Sequence, residues 1–485
     1  MPDRRCTARA FWLLAIAIGL ILSAARGGAS LAAEAKSPSG RSMATILRQL
    51  KSSKPRARAA AVAKVDELPA ATAVKLLVER GLASPFADLR HASYGALLAR
   101  VGDQEVCDML LDRVKKALGK QAADEVTCGT LGLLLASDLK PVRLATGELL
   151  DGAVRQPGGR AMLVTLAGEL GLEADSTSLA SLWKLSKLAV FEQVFAVRRA
   201  VVRALALSER PEAIDALVEI LGRVDGEVQA DIARHLTTIS GEPHALDAGQ
   251  WRSWWQANRS ARANRSTRAN LSTQASRSSE PSQANHSMSD STGRALLPRP
   301  ATVYAPLYAA APTKYYGLPI YAQRLMFVID TSGSMSGARL DAAKRELLFA
   351  IAGLPEGVRF NVLVFNGGVA AWSDTLQVAS RENKALAAAF VLPQFAIGNT
   401  CTHDALLAAM AFDVEAIYFL TDGQPCGGSL SDPTAIVAAI TMLNQDRLVS
   451  INTLGIGVGL PGSVFDIFLF SLAAANQGQY RRVDQ

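Results

Sequence analysis

The chain has 485 residues, 49% of them hydrophobic and 20% charged, and carries a net charge of +7. That length and apolar content exclude a wholly disordered chain and predict two or three domains with sizeable cores. The charge distribution argues against a basic nucleic-acid footprint on a folded surface, because residues 1–35 contribute +2 and residues 257–300 contribute +5, leaving the remainder balanced and only the latter segment suited to attract anionic polymers.

The amino terminus reads as an export signal over residues 1–35. Arg4, Arg5 and Arg9 form a positive leader, Phe11–Leu22 an apolar core, and Ala33-Glu34-Ala35 a small-residue cleavage site before Lys36. The apolar core is short of the roughly 20 residues that a membrane span needs. Cleavage is therefore expected, with retention as an anchor the alternative. No cysteine follows the core, which argues against lipidation, and no other stretch is suited to crossing a bilayer. The expected location is periplasmic, in the cell envelope or extracellular.

Residues 43–256 carry helical periodicity throughout, with a weak repeat. Leu89-Arg90-His91-Ala92, Val142-Arg143-Leu144-Ala145 and Val197-Arg198-Arg199-Ala200 each open an apolar helix, and Arg58-Ala59-Ala60 is a degenerate first copy. Val228–Leu236 aligns with Val197–Leu205 at an offset of 31, whereas the arginines at 58, 90, 143 and 198 are unevenly spaced. The pattern resembles a HEAT-type α-solenoid, which implies stacked helices sharing a core and presenting a long surface; a compact helical bundle is the alternative. Trp251, Trp254 and Trp255 share one helix face and are expected to seal the end of this region.

From residue 257 to 300 Ser, Asn, Arg, Ala, Thr and Gln dominate. Such a composition buries too little apolar surface to offset chain entropy and predicts a disordered linker, its ends on the order of 35–40 Å apart as a flexible coil. Asn258, Asn264, Asn270 and Asn285 head N-x-S/T sequons that an Asn/Ser-rich tract produces readily. Residues 301–320, with Tyr304, Tyr308, Tyr315 and Tyr316, are expected to lead into the next domain and pack against it.

Residues 321–485 alternate apolar runs with helical segments. Strands are expected at Leu325–Ile329, Val358–Phe365, Ala416–Leu420, Val449–Leu454 and Gln479–Val483. Helices are expected from Leu340 to Ile351, at Leu386–Phe390, Asp404–Phe412, Ala435–Leu443 and Val464–Ala475. This alternation predicts parallel βαβ units in a doubly wound α/β domain. Three loops stand out: Asp330-Thr331-Ser332-Gly333-Ser334-Met335 after the first strand, Gly398-Asn399-Thr400 entering a helix, and Thr421-Asp422-Gly423 closing the third strand. In an open parallel sheet, ligands bind beyond the carboxyl ends of the strands. One carboxylate and two hydroxyls spaced two residues apart can converge there on a hard divalent cation, Mg²⁺ first.

Asp330, Ser332 and Ser334, then Thr400, then Asp422, resemble in type and order the metal-ion-dependent adhesion site of von Willebrand factor type A (vWA) domains. The resemblance covers residues 321–485 and implies a Rossmann-like fold with a cation, Mg²⁺, Mn²⁺ or Ca²⁺, held by those five residues. In the family, a partner protein's Asp or Glu carboxylate completes the coordination. The chain ends at Gln485 without the terminal helix whose displacement switches integrin-type members, so affinity here is not expected to be switched that way.

With Cys6 removed in the signal, Cys107, Cys128, Cys401 and Cys426 remain. Cys401 and Cys426 flank the expected metal ligands and are expected to form a disulfide; Cys107–Cys128 is a second candidate bridge, with separately buried thiols as the alternative. His403 and Asp404 follow Thr400, but no nucleophile motif accompanies them. Asp404 is expected to cap or brace its helix, and catalysis is not expected. The whole reads as an exported protein-binding or scaffolding molecule whose partner offers a carboxylate. The alternative is a structural cell-envelope protein whose metal serves stability alone; a metal-dependent hydrolase is the weaker third reading.

Overall fold

The computed structural model describes residues 40–119, 124–156, 158–242, 244–262 and 313–483. The expected signal, Cys6, Tyr304, Tyr308 and most of the expected linker lie outside them. The described residues form two compact units, one of residues up to Ala216 together with 257–262, the other of Leu217–Gln256 together with the described residues from 313 onward.

The first unit is helical, as the periodicity predicts. The recurring arginines have a structural role. Each stands at the fourth position of its helix, in Pro55–Asp66, Ala87–Leu98, Lys140–Ala153 and Phe195–Ala206. Arg58, Arg90 and Arg198 each turn back to donate to a carbonyl six residues earlier, of Ser52, Ser84 and Glu192. The guanidinium thus satisfies a carbonyl left open in the connecting turn, which a buried backbone requires. Arg58 also pairs with Asp88 at 2.7 Å and lies over the Phe86 ring. Helices Gly159–Glu173 and Phe195–Ala206 approach closely, and a Cβ on Gly171 would stand 2.6 Å from Ala204 Cα. Residues 257–262, expected as linker, continue a helix; Arg259 holds both oxygens of Asp215 at 2.8 and 2.9 Å.

The second unit is built on a mostly parallel sheet. Its strands are β1 (Lys314–Tyr315), β2 (Leu318–Pro319), β3 (Arg324–Asp330), β4 (Arg359–Phe365), β5 (Val369–Ala371), β6 (Gln377–Val378), β7 (Ala416–Thr421), β8 (Ser450–Ile456) and β9 (Tyr480–Val483). The main sheet has the order β5-β4-β3-β7-β8-β9, with β6 also paired to β4. Pairs among β4, β3, β7, β8 and β9 are parallel, while β5, β6 and the separate β1–β2 hairpin are antiparallel additions that the βαβ pattern does not signal.

Both sheet faces are covered, so the central strands are apolar without a break. Along β3, Leu325, Phe327 and Ile329 enter one core with Leu340, Leu347 and Ile351 of helix Ala338–Gly353. Met326 and Val328 enter the other, with Leu406 of helix Thr402–Met410 and Leu469 of helix Val464–Ala475. Tyr315 is fully buried against Phe327 and Tyr418, as expected of the lead-in segment.

Helix Gly226–Ser240 belongs to this unit and meets the amino ends of the strands. Ser450 Oγ donates to Glu227 at 3.3 Å, Arg234 lies 5.9 Å from the Tyr321 ring, and a Cβ on Gly226 would stand 2.7 Å from Glu415. Trp251 and Trp255 are buried, Trp251 edge-on to Trp254, in keeping with their expected sealing role.

Candidate metal centre

Strand polarity places the site. The chain runs from β3 to β4 on one side and later returns to β7 on the other, so β3 and β7 flank the point where the strand order reverses and a crevice opens at their carboxyl ends. In the parallel register Asp330 pairs with Phe365 and Ile329 with Leu420, which sets Thr421 beside Asp330. Thr331 fixes the turn after β3 by donating from both its amide and its hydroxyl to Phe365 O, at 2.7 and 3.0 Å.

The Asp330 carboxylate is fully buried. Its Oδ1 accepts from Ser332 N at 2.8 Å and its Oδ2 from Thr421 Oγ1 at 2.5 Å. The Ser332 and Ser334 hydroxyl oxygens are 3.1 Å apart, and Ser334 Oγ donates to Asp422 Oδ1 at 2.8 Å. Asp422 Oδ2 accepts from Arg339 Nη1 at 3.0 Å, and the same nitrogen donates to Ser334 O at 3.2 Å. A run of hydrogen bonds, through the Ser332 amide and then the two serine hydroxyls, therefore joins the end of β3 to the end of β7.

Thr400 is buried and joins through its backbone, with Cys426 N donating to Thr400 O at 3.2 Å. Its loop is tied to the first by Gly333 N to Gly398 O at 3.1 Å and by Ile397 N to Thr331 O at 2.9 Å. Gly398 has φ +76°, a left-handed turn that suits glycine. All five predicted residues thus meet at one rim; Ser332, Ser334 and Asp422 are linked through side chains, and Asp330 joins them through the Ser332 amide.

Burial pushes the Asp330 carboxyl up to about 6, against the hydrogen bonds from Ser332 and Thr421, and the like charge of Asp422 adds to the rise. A desolvated carboxylate facing neutral hydroxyls is the environment a hard cation relieves, and the all-oxygen donor set fits Mg²⁺ or a similar ion. Among the described residues no cluster of three or more His, Cys, Asp or Glu could hold a metal, so this candidate depends on hydroxyls.

The expected disulfides are corrected: all four cysteines are free. Cys401 is buried with Sγ directed at Gly368 O, 3.4 Å away, while Cys426 is exposed. The backbones meet, but the Cys401 thiol turns toward the β4–β5 connection. Cys107 and Cys128 are each buried, Cys107 donating to Val101 O at 3.3 Å, as the separate-thiol alternative requires.

Asp404 braces a neighbouring loop rather than capping its own helix, accepting from both the amide and the hydroxyl of Ser429. His403 Nδ1 lies 2.8 Å from that hydroxyl. Sequence reasoning missed Thr421 and Arg339. Thr421 stood inside a quoted motif without a role; Arg339 was invisible because it reaches Asp422 across 83 residues.

Residues 323–482 match the family model of the von Willebrand factor type A domain. Among curated relatives, inter-alpha-trypsin inhibitor heavy chain H4 of Homo sapiens is 31% identical over 185 residues, covering 35% of this chain and 19% of that protein. Heavy chain H3 of Bos taurus is 31% identical over 180 residues, covering 34% and 20%. The chain thus spans 19% and 20% of the length of these two relatives. Among solved structures, a von Willebrand factor type A protein from Catenulispora acidiphila is 24% identical with a TM-score of 0.30, covering 33% of this chain and 38% of that one. An aerotolerance-related membrane protein from Bacteroides fragilis is 21% identical with a TM-score of 0.26, covering 33% and 92%.

Proposed function

We propose, from the premise that residues 323–482 form a vWA domain, that the protein is an exported, divalent-cation-dependent binding or scaffolding molecule. Asp330, Ser332, Ser334, Thr400 and Asp422 would hold Mg²⁺, Mn²⁺ or Ca²⁺, and the partner would be a protein presenting an Asp or Glu carboxylate. The observation that carries this reading is the hydrogen-bonded run from Asp330 through the Ser332 amide, and from the Ser332 hydroxyl through Ser334 to Asp422. When bound, the cation would supply a charge-assisted bond to the incoming carboxylate. The chain's own part is to orient the oxygens: Thr421 fixes Asp330, Ser334 fixes Asp422, and the Gly398 carbonyl holds the intervening loop. The helical unit would offer a second, metal-independent surface.

Hydrogen-bond polarity weighs against Ser429 as a hydrolase nucleophile activated by His403. The Ser429 hydroxyl has one proton and gives it to Asp404, so His403 Nδ1 faces a hydroxyl lone pair and cannot act there as its base.

The test is recovery of partner proteins from the source cell's envelope fraction with and without Mg²⁺, comparing the full chain with Asp422→Ala. Recovery that needs both Mg²⁺ and Asp422 supports the proposal. Recovery indifferent to both, with EDTA lowering only the melting temperature, would favour the purely structural envelope role instead.

A further inference from the structure

The geometry points to Arg339 as the residue that sets the charge of the proposed centre so that cation and partner carboxylate bind in concert. The inference rests on the cation reading above and names the control within it.

Arg339 lies in the first turn of helix Ala338–Gly353, five residues after Ser334 and 83 before Asp422. Its Nη1 bridges Asp422 Oδ2 and Ser334 O, at 3.0 and 3.2 Å. The guanidinium also rests on the turn after β8: a Cβ on Gly457 would stand 3.2 Å from Nε and Nη2 and 3.3 Å from Cζ. Gly457, at φ +61°, leaves the space in which the guanidinium lies flat. The Asp422 side chain is 5% exposed, so this ion pair is shielded on the carboxylate side.

Charge counting gives the consequence. Asp330 and Asp422 supply two negative charges to the oxygen set, and Arg339 returns one positive charge through Asp422. With Arg339 present, a divalent ion leaves the set with a net positive charge, and one partner carboxylate neutralises it. Without Arg339 the same ion already brings the set to neutrality, and a carboxylate arrives at no net attraction. Arg339 therefore disfavours the cation alone and favours the carboxylate, so that filling of the set depends on both ligands being present. A positive charge one carboxylate's width from a divalent ion is worth on the order of ten-fold in affinity at a partly screened site.

The experiment is calorimetric titration of the full chain with Mn²⁺, in sodium chloride and in sodium acetate of equal ionic strength. Wild type, Arg339→Gln and Arg339→Lys are compared, with circular dichroism melts to verify folding. Arg339→Gln should bind Mn²⁺ about ten-fold tighter in chloride. Acetate should tighten Mn²⁺ binding in wild type and in Arg339→Lys, which keeps the charge, and have less effect in Arg339→Gln. Arg339→Gln binding no tighter than wild type, or Arg339→Lys behaving like Arg339→Gln, would overturn the inference while leaving the cation site standing. Absence of Mn²⁺ uptake by every variant would overturn both.

Discussion

Thr421 offers the sharpest test of how the site is held together. Its hydroxyl donates to Asp330 Oδ2 at 2.5 Å and accepts from Gly423 N at 3.1 Å, in a buried position. Thr421→Val keeps the shape and removes both bonds. A hydrogen bond to a charged group contributes roughly 1.5–3 kcal/mol, and an amide left without its acceptor costs a comparable amount. Relaxation of the exposed side of the loop returns part of this, so a net loss of about 2–3 kcal/mol is expected. For a unit of this size that corresponds to a fall of about 4–12 °C in melting temperature. Differential scanning calorimetry of the full chain in EDTA should show the fall in one transition, with Thr421→Ser, which keeps the hydroxyl, close to wild type. Thr421→Val should also weaken Mn²⁺ uptake, because Asp330 loses the bond that aims one of its oxygens. A Thr421→Val protein that melts with wild type would refute the idea that this pair fixes the first ligand.

Two further outcomes are expected. Burial, then the charge of Asp175, pushes the Glu173 carboxyl up to about 7. A folded-state value above the unfolded one gives a contribution that is full below the unfolded carboxylate range and lost as pH rises through about 7, so the helical unit should melt lower at pH 8 than at pH 5, and Glu173→Gln should flatten that difference. A fragment starting at residue 313 should melt below one starting at 217, by roughly 2–3 kcal/mol of stability, because it uncovers Tyr321 and leaves Ser450 and Glu415 without the helix that covers them; equal melting would show that helix Gly226–Ser240 is dispensable to the sheet.

The sheet was legible in the sequence because its central strands are buried on both faces and therefore appear as unbroken apolar runs. Leu325–Ile329 and Ala416–Leu420 lie within β3 and β7, and Val464–Ala475 is a helix with the expected ends. The edge was not legible: Val369–Ala371 is exposed along its length, so no apolar signal marks β5. That the five candidate residues lie together was legible because motif order sets Asp330 and Asp422 at the ends of β3 and β7, and Thr400 in a turn entering a helix, which strand polarity brings to one rim. Thr421 and Arg339 were not, since their roles arise from register and from a turn that only glycine leaves open. The cysteine pairing failed for a similar reason, because neighbouring backbones say nothing about where a thiol rotates. The helical region gave no sign that residues 217–256 belong with the sheet, since an apolar helix face does not announce what covers it.

The two ends of the sheet carry charge in opposite ways, and the difference separates recognition from packing. At the amino ends, Glu415 accepts from Gln323 N at 3.0 Å and lies 3.4 Å from Arg324, while Glu227 accepts from Ser450 and lies 3.7 Å from Arg234. These charges are buried in pairs, and a buried pair costs nearly as much in desolvation as it gains in attraction, so its effect is to fix how the helix docks. At the carboxyl ends, Asp330 is buried against neutral donors, and the nearest guanidinium spends its charge on Asp422 instead. That imbalance would be a defect in a surface whose only task was packing. It makes physical sense where an ion and an external carboxylate complete the neutralisation, which is why partner binding is proposed at this end of the strands and not at the other.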